Sequence, residues 1–347
     1  MNHSVWLALA AAALFGASTP FAKVLVGAVP PLMLGGLLYL GSGFGLAVIR
    51  LVRDRGWRAS GLLPQELPWL FGAILFGGML GPVALMVGLT RTSGSVASLL
   101  LNLEAVLSAL LAWIAFRENA DRRVVLGMLA IVAGGVVLAW PGGGQVEVSH
   151  WLGPVAIASA CLCWAIDNNL TRKVSASDAL FIASIKGLVA GGVNTALALA
   201  MGMALPATAA LLQTLAVGLF GYGFSLVLFV LALRGLGTAR TGAYFSTAPF
   251  LGAAVALGVF REASGPGFWL ACGLMGLGVW LHLTERHAHA HVHEPMAHTH
   301  WHEHDAHHQH PHAPDQHGEG PHSHPHVHPA MAHSHPHYPD IHHRHGH

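Results

Sequence analysis

The chain has 347 residues, of which 53% are hydrophobic and only 10% charged. A water-soluble domain carries about 25% charged residues, so this composition excludes an ordinary soluble fold. Seventeen basic and sixteen acidic residues nearly cancel, which excludes a basic face for nucleic acid.

Runs of about 20 mostly apolar residues mark membrane-crossing helices. Ten such runs follow one another: 4–27, 31–52, 67–89, 94–116, 122–140, 151–172, 178–201, 208–233, 239–260 and 265–284. The expected fold class is an all-α integral membrane protein with ten transmembrane helices, followed by a disordered tail. The first run is apolar from Val5 and lacks a basic leader, so it reads as a helix that stays rather than a signal peptide. The short gaps hold most of the charge, as in RDRGWRASGLLPQE at 53–66. Cys161, Cys163 and Cys272 lie inside apolar runs and read as small hydrophobes. Glycine is abundant, and GSGFG at 41–45, GGMLG at 77–81 and GLVAG at 187–191 carry small residues four apart, a spacing that lets helices approach closely in lipid.

With the N-terminus inside, the inner loops carry Arg50, Arg53, Arg55, Arg58, Arg117, Arg122, Arg123, Arg172, Lys173, Arg234 and Arg240. The outer loops carry only Arg91 and Arg261. Basic loops stay in the cytoplasm, so both termini are expected there, in an inner (plasma) membrane. The sequence also repeats. FRE at 116–118 returns at 260–262, a shift of 144, and Ala109, Ala112, Leu126 and Gly134 match Ala253, Ala256, Leu270 and Gly278. Two halves of five helices, an odd number, must lie upside down to one another. Such inverted repeats place a solute site near the midplane between the halves.

Charges inside a bilayer cost about 3 kcal/mol or more and mark functional positions. Glu104 is the sharpest, about ten residues into its helix and near mid-membrane, with Asn102 beside it. A carboxyl there can exchange a proton or meet a cation. Lys186 is its natural partner. Asp167 and Asn168 are further path residues; Asn169 adjoins them, and three consecutive residues cannot face one cavity. Lys23, Trp164, Tyr244 and Pro249 complete the candidate set. Pro20 and Pro249 interrupt helices and free carbonyls. No G-x-x-x-x-G-K-[ST] loop or H-E-x-x-H motif occurs, so neither a pump nor an intramembrane enzyme is expected.

Residues 109–138 (ALLAWIAFRENADRRVVLGMLAIVAGGVVL) and 246–281 (STAPFLGAAVALGVFREASGPGFWLACGLMGLGVWL) each pass an aromatic-Arg-Glu step into a Gly-rich last helix. With FGASTPFAK at 15–23 and CWAIDNNLTRK at 163–173, the chain resembles the drug/metabolite transporter superfamily, EamA type. The resemblance covers 4–284. It implies a permease for a small solute, with halves at 1–141 and 150–284. Pro249 matches the family's helix-nine proline, whereas the first half departs from it with Ala105 after Glu104.

Residues 285–347 differ in kind. Of the 27 histidines only His3, His150 and His282 lie outside this segment, which leaves 24 within it. H-x-H repeats align imidazoles in an extended chain, and neutral imidazole suits Zn, Ni, Co or Cu ions. The expected ligands are His289, His291, His293, His298, His300, His302, His304, His322, His324, His326, His328, His333, His335 and His337. No bound cofactor is required. Membrane lipid, a small-molecule or ion substrate and a second copy of the chain are the expected partners. Two readings stay open: the tail feeds a divalent-cation or metabolite exporter, or it senses or buffers metal and regulates transport of something else.

Overall fold

A computed structural model describes residues 3–56, 60–116, 122–140, 148–171, 174 and 178–284, and four tail segments, 288–293, 296–302, 322–328 and 331–336. Residues 1–285 form one compact unit and 286–347 another.

Every regular element of the first unit is helical. In chain order they are α1 (His3–Leu25), α2 (Pro31–Asp54), a short 3-10 turn (Pro64–Glu66), α3 (Leu67–Ala73), a π segment (Ile74–Leu80), α4 (Gly81–Arg91), α5 (Gly94–Leu100), α6 (Leu103–Phe116), α7 (Arg122–Ala139), α8 (Val148–Thr171), α9 (Ala179–Ala200), α10 (Thr208–Val217), a second π segment (Gly218–Phe224), α11 (Ser225–Phe245), α12 (Ala248–Gly258) and α13 (Pro266–Leu283). Local chemistry sets the ends. Pro31 opens α2 at a position where its missing N–H costs nothing. Arg55, with φ 52°, closes that helix in the left-handed conformation. Ser93 caps α5 by accepting from the Val96 amide at 3.2 Å.

Eight helical runs among the described residues are long and apolar enough to cross a membrane, from His3–Leu25 to Thr208–Phe229. Among the described residues these eight correspond to the first eight of the ten expected runs. The ninth expected run is split between the end of α11 and α12, an apolar helix of 11 residues; the tenth coincides with α13. A loop was expected at 234–238, between the eighth and ninth runs. The backbone corrects this: α11 is helical through it. Gly235 and Gly237 weaken a helix by about 1 kcal/mol each relative to alanine but do not end one as proline would.

The packing comes in reciprocal pairs. Helix α1 lies against α11 and α12, while α8 lies against α3, α4 and α6. Helix α2 runs along α9, and α7 along α13. Close backbone approach needs small residues: a methyl on Gly43 would strike the Gly187 backbone, and one on Gly187 would strike Gly43. The two π segments lie 144 residues apart and share the tripeptide Leu75-Phe76-Gly77 and Leu219-Phe220-Gly221. Helices α7 and α13 start and end 144 apart as well.

The tail segments form β1 (Ala288–His293), β2 (Met296–His302), β3 (His322–His328) and β4 (Met331–Pro336). Strand β1 pairs with β4 and β2 with β3, both antiparallel. Where disorder was expected, these four segments carry extended, paired backbone. Two-residue alternation is the period of a strand, which is why H-x-H repeats fit it. The register sets His289 and His291 opposite His335 and His333. It sets His298, His300 and His302 opposite His326, His324 and His322. His304 and His337 lie outside the described residues, as do Arg58, Arg117, Arg172 and Lys173.

Candidate functional site

The candidate site starts at the first π segment. In a π turn each carbonyl bonds the amide five residues on, and the Gly81 N–H accordingly donates to the Phe76 carbonyl. The Gly77 carbonyl would then need the amide of residue 82, which is Pro82 and has none. The freed oxygen instead accepts the Tyr39 hydroxyl at 2.6 Å and the Trp164 indole N–H at 3.0 Å. Three helical runs are thereby tied at one atom.

Beside it lies an ion pair between a buried aspartate and a half-buried lysine. Lys186 Nζ on α9 donates to Asp167 Oδ2 on α8, and Thr171 Oγ1 donates to Asp167 Oδ1 at 2.9 Å. Asp167 fits only because residue 77 is glycine, since a methyl there would overlap its carboxylate. Lys186 had been expected to pair with Glu104. It is taken by Asp167 instead, because α8 rather than α6 presents a carboxylate to it. Glu104 accepts from a neutral group, Asn168 Nδ2, at 2.8 Å. The neighbouring Asn169 turns back and donates to its own helix at Ala165 O, 2.8 Å, whereas Asp167 and Asn168 bond across to Lys186 and Glu104.

Aromatic rings complete the centre. The Phe15 ring centroid lies 6.4 Å from that of Trp164, 5.9 Å from Tyr222 and 5.4 Å from Phe245. The Tyr39 and Tyr222 rings are 5.6 Å apart.

The helices flanking the centre are broken at equivalent places. Between α5 and α6 the backbone tightens to three-residue bonds, Asn102 N–H to Leu99 O at 3.0 Å and Glu104 N–H to Leu101 O at 3.1 Å. Between α11 and α12, 144 residues on, Thr247 N–H bonds Tyr244 O at 3.2 Å. Such mid-helix breaks expose polar backbone groups, as solute sites in membranes require. They also assign roles. Buried Asn102 donates to Leu99 O at 2.9 Å and so repairs the first break. Thr247 Oγ1 donates to Tyr244 O at 2.6 Å and repairs the second. Pro249 does not interrupt a helix; it sits in the first turn of α12, where no N–H is needed. Lys23 stands apart from the centre, its Nζ bonded to Leu89 O at 2.6 Å, a cation on a helix C-terminus.

Far from the centre, Asp178 caps α9 through the Leu180 amide at 3.0 Å. It also accepts from Arg50 Nε at 3.0 Å and Arg53 Nη2 at 2.6 Å. Burial pushes its carboxyl up, but the hydrogen bonds from Arg53, Arg50 and Leu180 outweigh that and hold its pKa at about 2. Sequence reasoning counted Arg50 and Arg53 only as loop charge and passed over Asp178, although an aspartate just before an apolar run is a capping signal. It also passed over Tyr39, and it read Gly77 only as a small packing residue in GGMLG at 77–81. The repeated LFG was a signal for Gly77; Tyr39 carried none.

Among the described residues no group of three or more His, Cys, Asp or Glu side chains is placed to hold a metal ion. Buried Cys161 has its Sγ 3.8 Å from Leu100 O.

Three comparisons bear on this geometry. The model of the EamA-like transporter family matches twice, over residues 3–140 and 151–284. An uncharacterized transporter of Methanothermobacter thermautotrophicus (strain Delta H) is 26% identical over 262 residues, covering 72% of this chain and 76% of that protein. A solved crystal structure superposes with a TM-score of 0.62 at 20% identity, over 82% of this chain and 99% of the other; at that identity the likeness concerns the fold alone.

Proposed function

From the premise that the chain belongs to the EamA-like transporter family, we propose that it is a proton-coupled secondary transporter of a small organic solute. The two matched halves stand inverted, both termini are cytoplasmic, and the membrane is the plasma membrane. The solute passes between the halves at the aromatic centre, beside Asp167, Lys186, Glu104 and Asn168.

One observation carries the coupling. Glu104 lies within a membrane span, and its described hydrogen bond comes from a neutral amide rather than a cation. Asn168 can satisfy the carboxyl whether it is charged or protonated, because one oxygen remains an acceptor in both states. The Asp167–Lys186 pair differs, since loss of charge on one partner strands the other. Glu104 therefore exchanges the proton, while Asp167 and Lys186 hold the fold of the site or part for a solute bearing both charges. A dehydrated Zn or Ni ion needs three or four N, O or S ligands, and the described membrane residues group no such set. An organic solute is the better match.

The tail has its own role in this reading. Its alternating histidines bind Zn, Ni, Co or Cu ions, and it regulates the permease from the cytoplasm rather than filling the path. The facing histidine positions of the two ribbons support this. The test is accumulation of a solute panel, including amino acids and Ni, Co and Zn ions, in cells with and without the protein, beside a chain truncated after Arg286. The proposal expects an organic solute to shift with both chains. A metal that shifts only with the full chain would instead make the tail the entry to a cation path.

A further inference from the structure

Each π segment seats one side chain from the other half. A methyl on Gly77 would overlap Asp167, and one on Gly221, 144 residues on, would strike Ser18. Ser18 therefore fills at the second π segment the niche that Asp167 fills at the first. The stretches 15–23 and 164–172 set the same two residues in register. Gly43 and Gly187, also 144 apart, meet backbone to backbone, and the residues before them are Ser42 and Lys186. A methyl on Gly78 would lie 3.7 Å from Lys186 Cγ, and one on Gly223 would lie 3.3 Å from Ser42 Oγ. Ser42 thus borders the second π segment as Lys186 borders the first. Glu104 bonds Asn168 on α8; its counterpart 144 residues on, Ala248, packs against α1 at Gly16.

The three charges of the centre therefore have uncharged counterparts: Ser18 for Asp167, Ser42 for Lys186 and Ala248 for Glu104. All three counterparts are buried. Two tyrosines stand between the niches. Tyr39 bonds the Gly77 carbonyl at 2.6 Å, and its ring centroid is 5.6 Å from that of Tyr222, the neighbour of Gly221. Phe15, one turn before Ser18, stacks edge-on against Tyr222 at 5.9 Å. The centre is charged at one end and neutral and aromatic at the other.

We propose that Ser18 and Ser42 are specificity-determining residues, and that the solute carries its charges at one end and an uncharged body at the other. The inference rests on the reading in which Asp167 and Lys186 part for a solute bearing both charges, between inverted halves. A charged head there exchanges one set of partners for another, so its loss of water is offset. A further charge at the far end would be buried beside serines and rings without a counter-charge, which is strongly disfavoured. Aromatic faces suit an apolar body instead. An acid at Ser18 would supply a partner for a far-end cation, and a lysine at Ser42 one for a far-end anion.

The test uses three α-amino acids with the same six-carbon chain: norleucine, uncharged at the far end, lysine, cationic there, and α-aminoadipate, anionic there. Uptake of each labelled compound is measured in vesicles containing the purified full chain, under a pH gradient, as the increment over vesicles without it. Norleucine should exceed both others by at least about tenfold. Ser18→Asp should raise lysine relative to norleucine, and Ser42→Lys should raise α-aminoadipate relative to norleucine, each by about tenfold or more and neither the converse. Each ratio is taken within one protein, so a loss of folded protein cancels, and the ratios of the parent alone decide where a variant does not fold. Equal uptake of all three by the parent, or variants that take up solute with unchanged ratios, would overturn the inference and leave the reading of the ion pair standing. Uptake of none of the three by the parent would overturn the reading that Asp167 and Lys186 receive a doubly charged head, and the inference with it.

Discussion

Glu104 and Asp167 are both carboxylates within apolar helices, yet the structure gives them opposite partners. Asp167 is held by a cation and Glu104 by an amide. Two predictions follow from that difference. Glu104→Gln keeps the shape and loses the titrating proton; transport should fall at least tenfold and its remainder should no longer vary with pH, measured as solute flux against external pH. Lys186→Met strands a buried charge and should cost about 3–5 kcal/mol, whereas removing both partners in Asp167→Asn with Lys186→Met should cost less than either alone. Thermal unfolding of the three variants in detergent decides this, and a double variant weaker than both singles would contradict it. The charges themselves were legible in the sequence, because a charged residue in an apolar run stands out. Their pairing was not. Which carboxylate meets Lys186 depends on how α8 and α9 pack, and nothing local to residue 104, 167 or 186 encodes that.

Among the elements, the π segments carry most of the site. Gly77 makes room for Asp167, and Pro82 leaves the Gly77 carbonyl free for Tyr39 and Trp164. Gly77→Ala should therefore abolish transport and lower the melting temperature. Gly192→Ala, also in a helix but with open space around it, should be neutral or stabilising by up to about 1 kcal/mol. Equal effects would show that glycine content rather than the site matters. The start of α9 gives a pH prediction. The Asp178 carboxyl is depressed to about 2 in the fold, below the roughly 3.9 of an unfolded chain. Its contribution is therefore complete above about pH 4 and disappears as pH falls through about 2. It amounts to at most about 2 kcal/mol. Unfolding of the protein and of Asp178→Asn, followed from pH 6 to 2, should converge at the acid end. Helix existence was legible from apolar runs; helix breaks were less so. The path from α10 through α11 keeps helical backbone where turn-like glycines suggested a loop. The breaks at 101–102 and 246–247 appear only once the chain is packed, because side chains such as Asn102 and Thr247 then repair the carbonyls.

At the scale of the whole molecule, the repeat of 144 residues read from FRE reappears in the two π segments and in the limits of α7 and α13. Sequence could expose the repeat because both copies still share short identical strings. It could not expose the conformational difference between the halves at 92–95 and 234–239. The membrane unit ends at Glu285 and the histidine-rich unit begins at Arg286. A chain cut after Arg286 should keep the membrane fold and transport while losing most bound zinc or nickel, assayed by metal content after equilibrium dialysis. The central claim is that a small organic solute crosses between the halves with Glu104 exchanging the proton. Flux of a solute panel into vesicles containing the purified full chain, with an imposed pH gradient, tests it most directly. The account predicts that at least one organic solute moves, that the gradient drives it, and that Glu104→Gln uncouples the two; an organic solute moving at the same rate with and without the gradient, in both proteins, would contradict it.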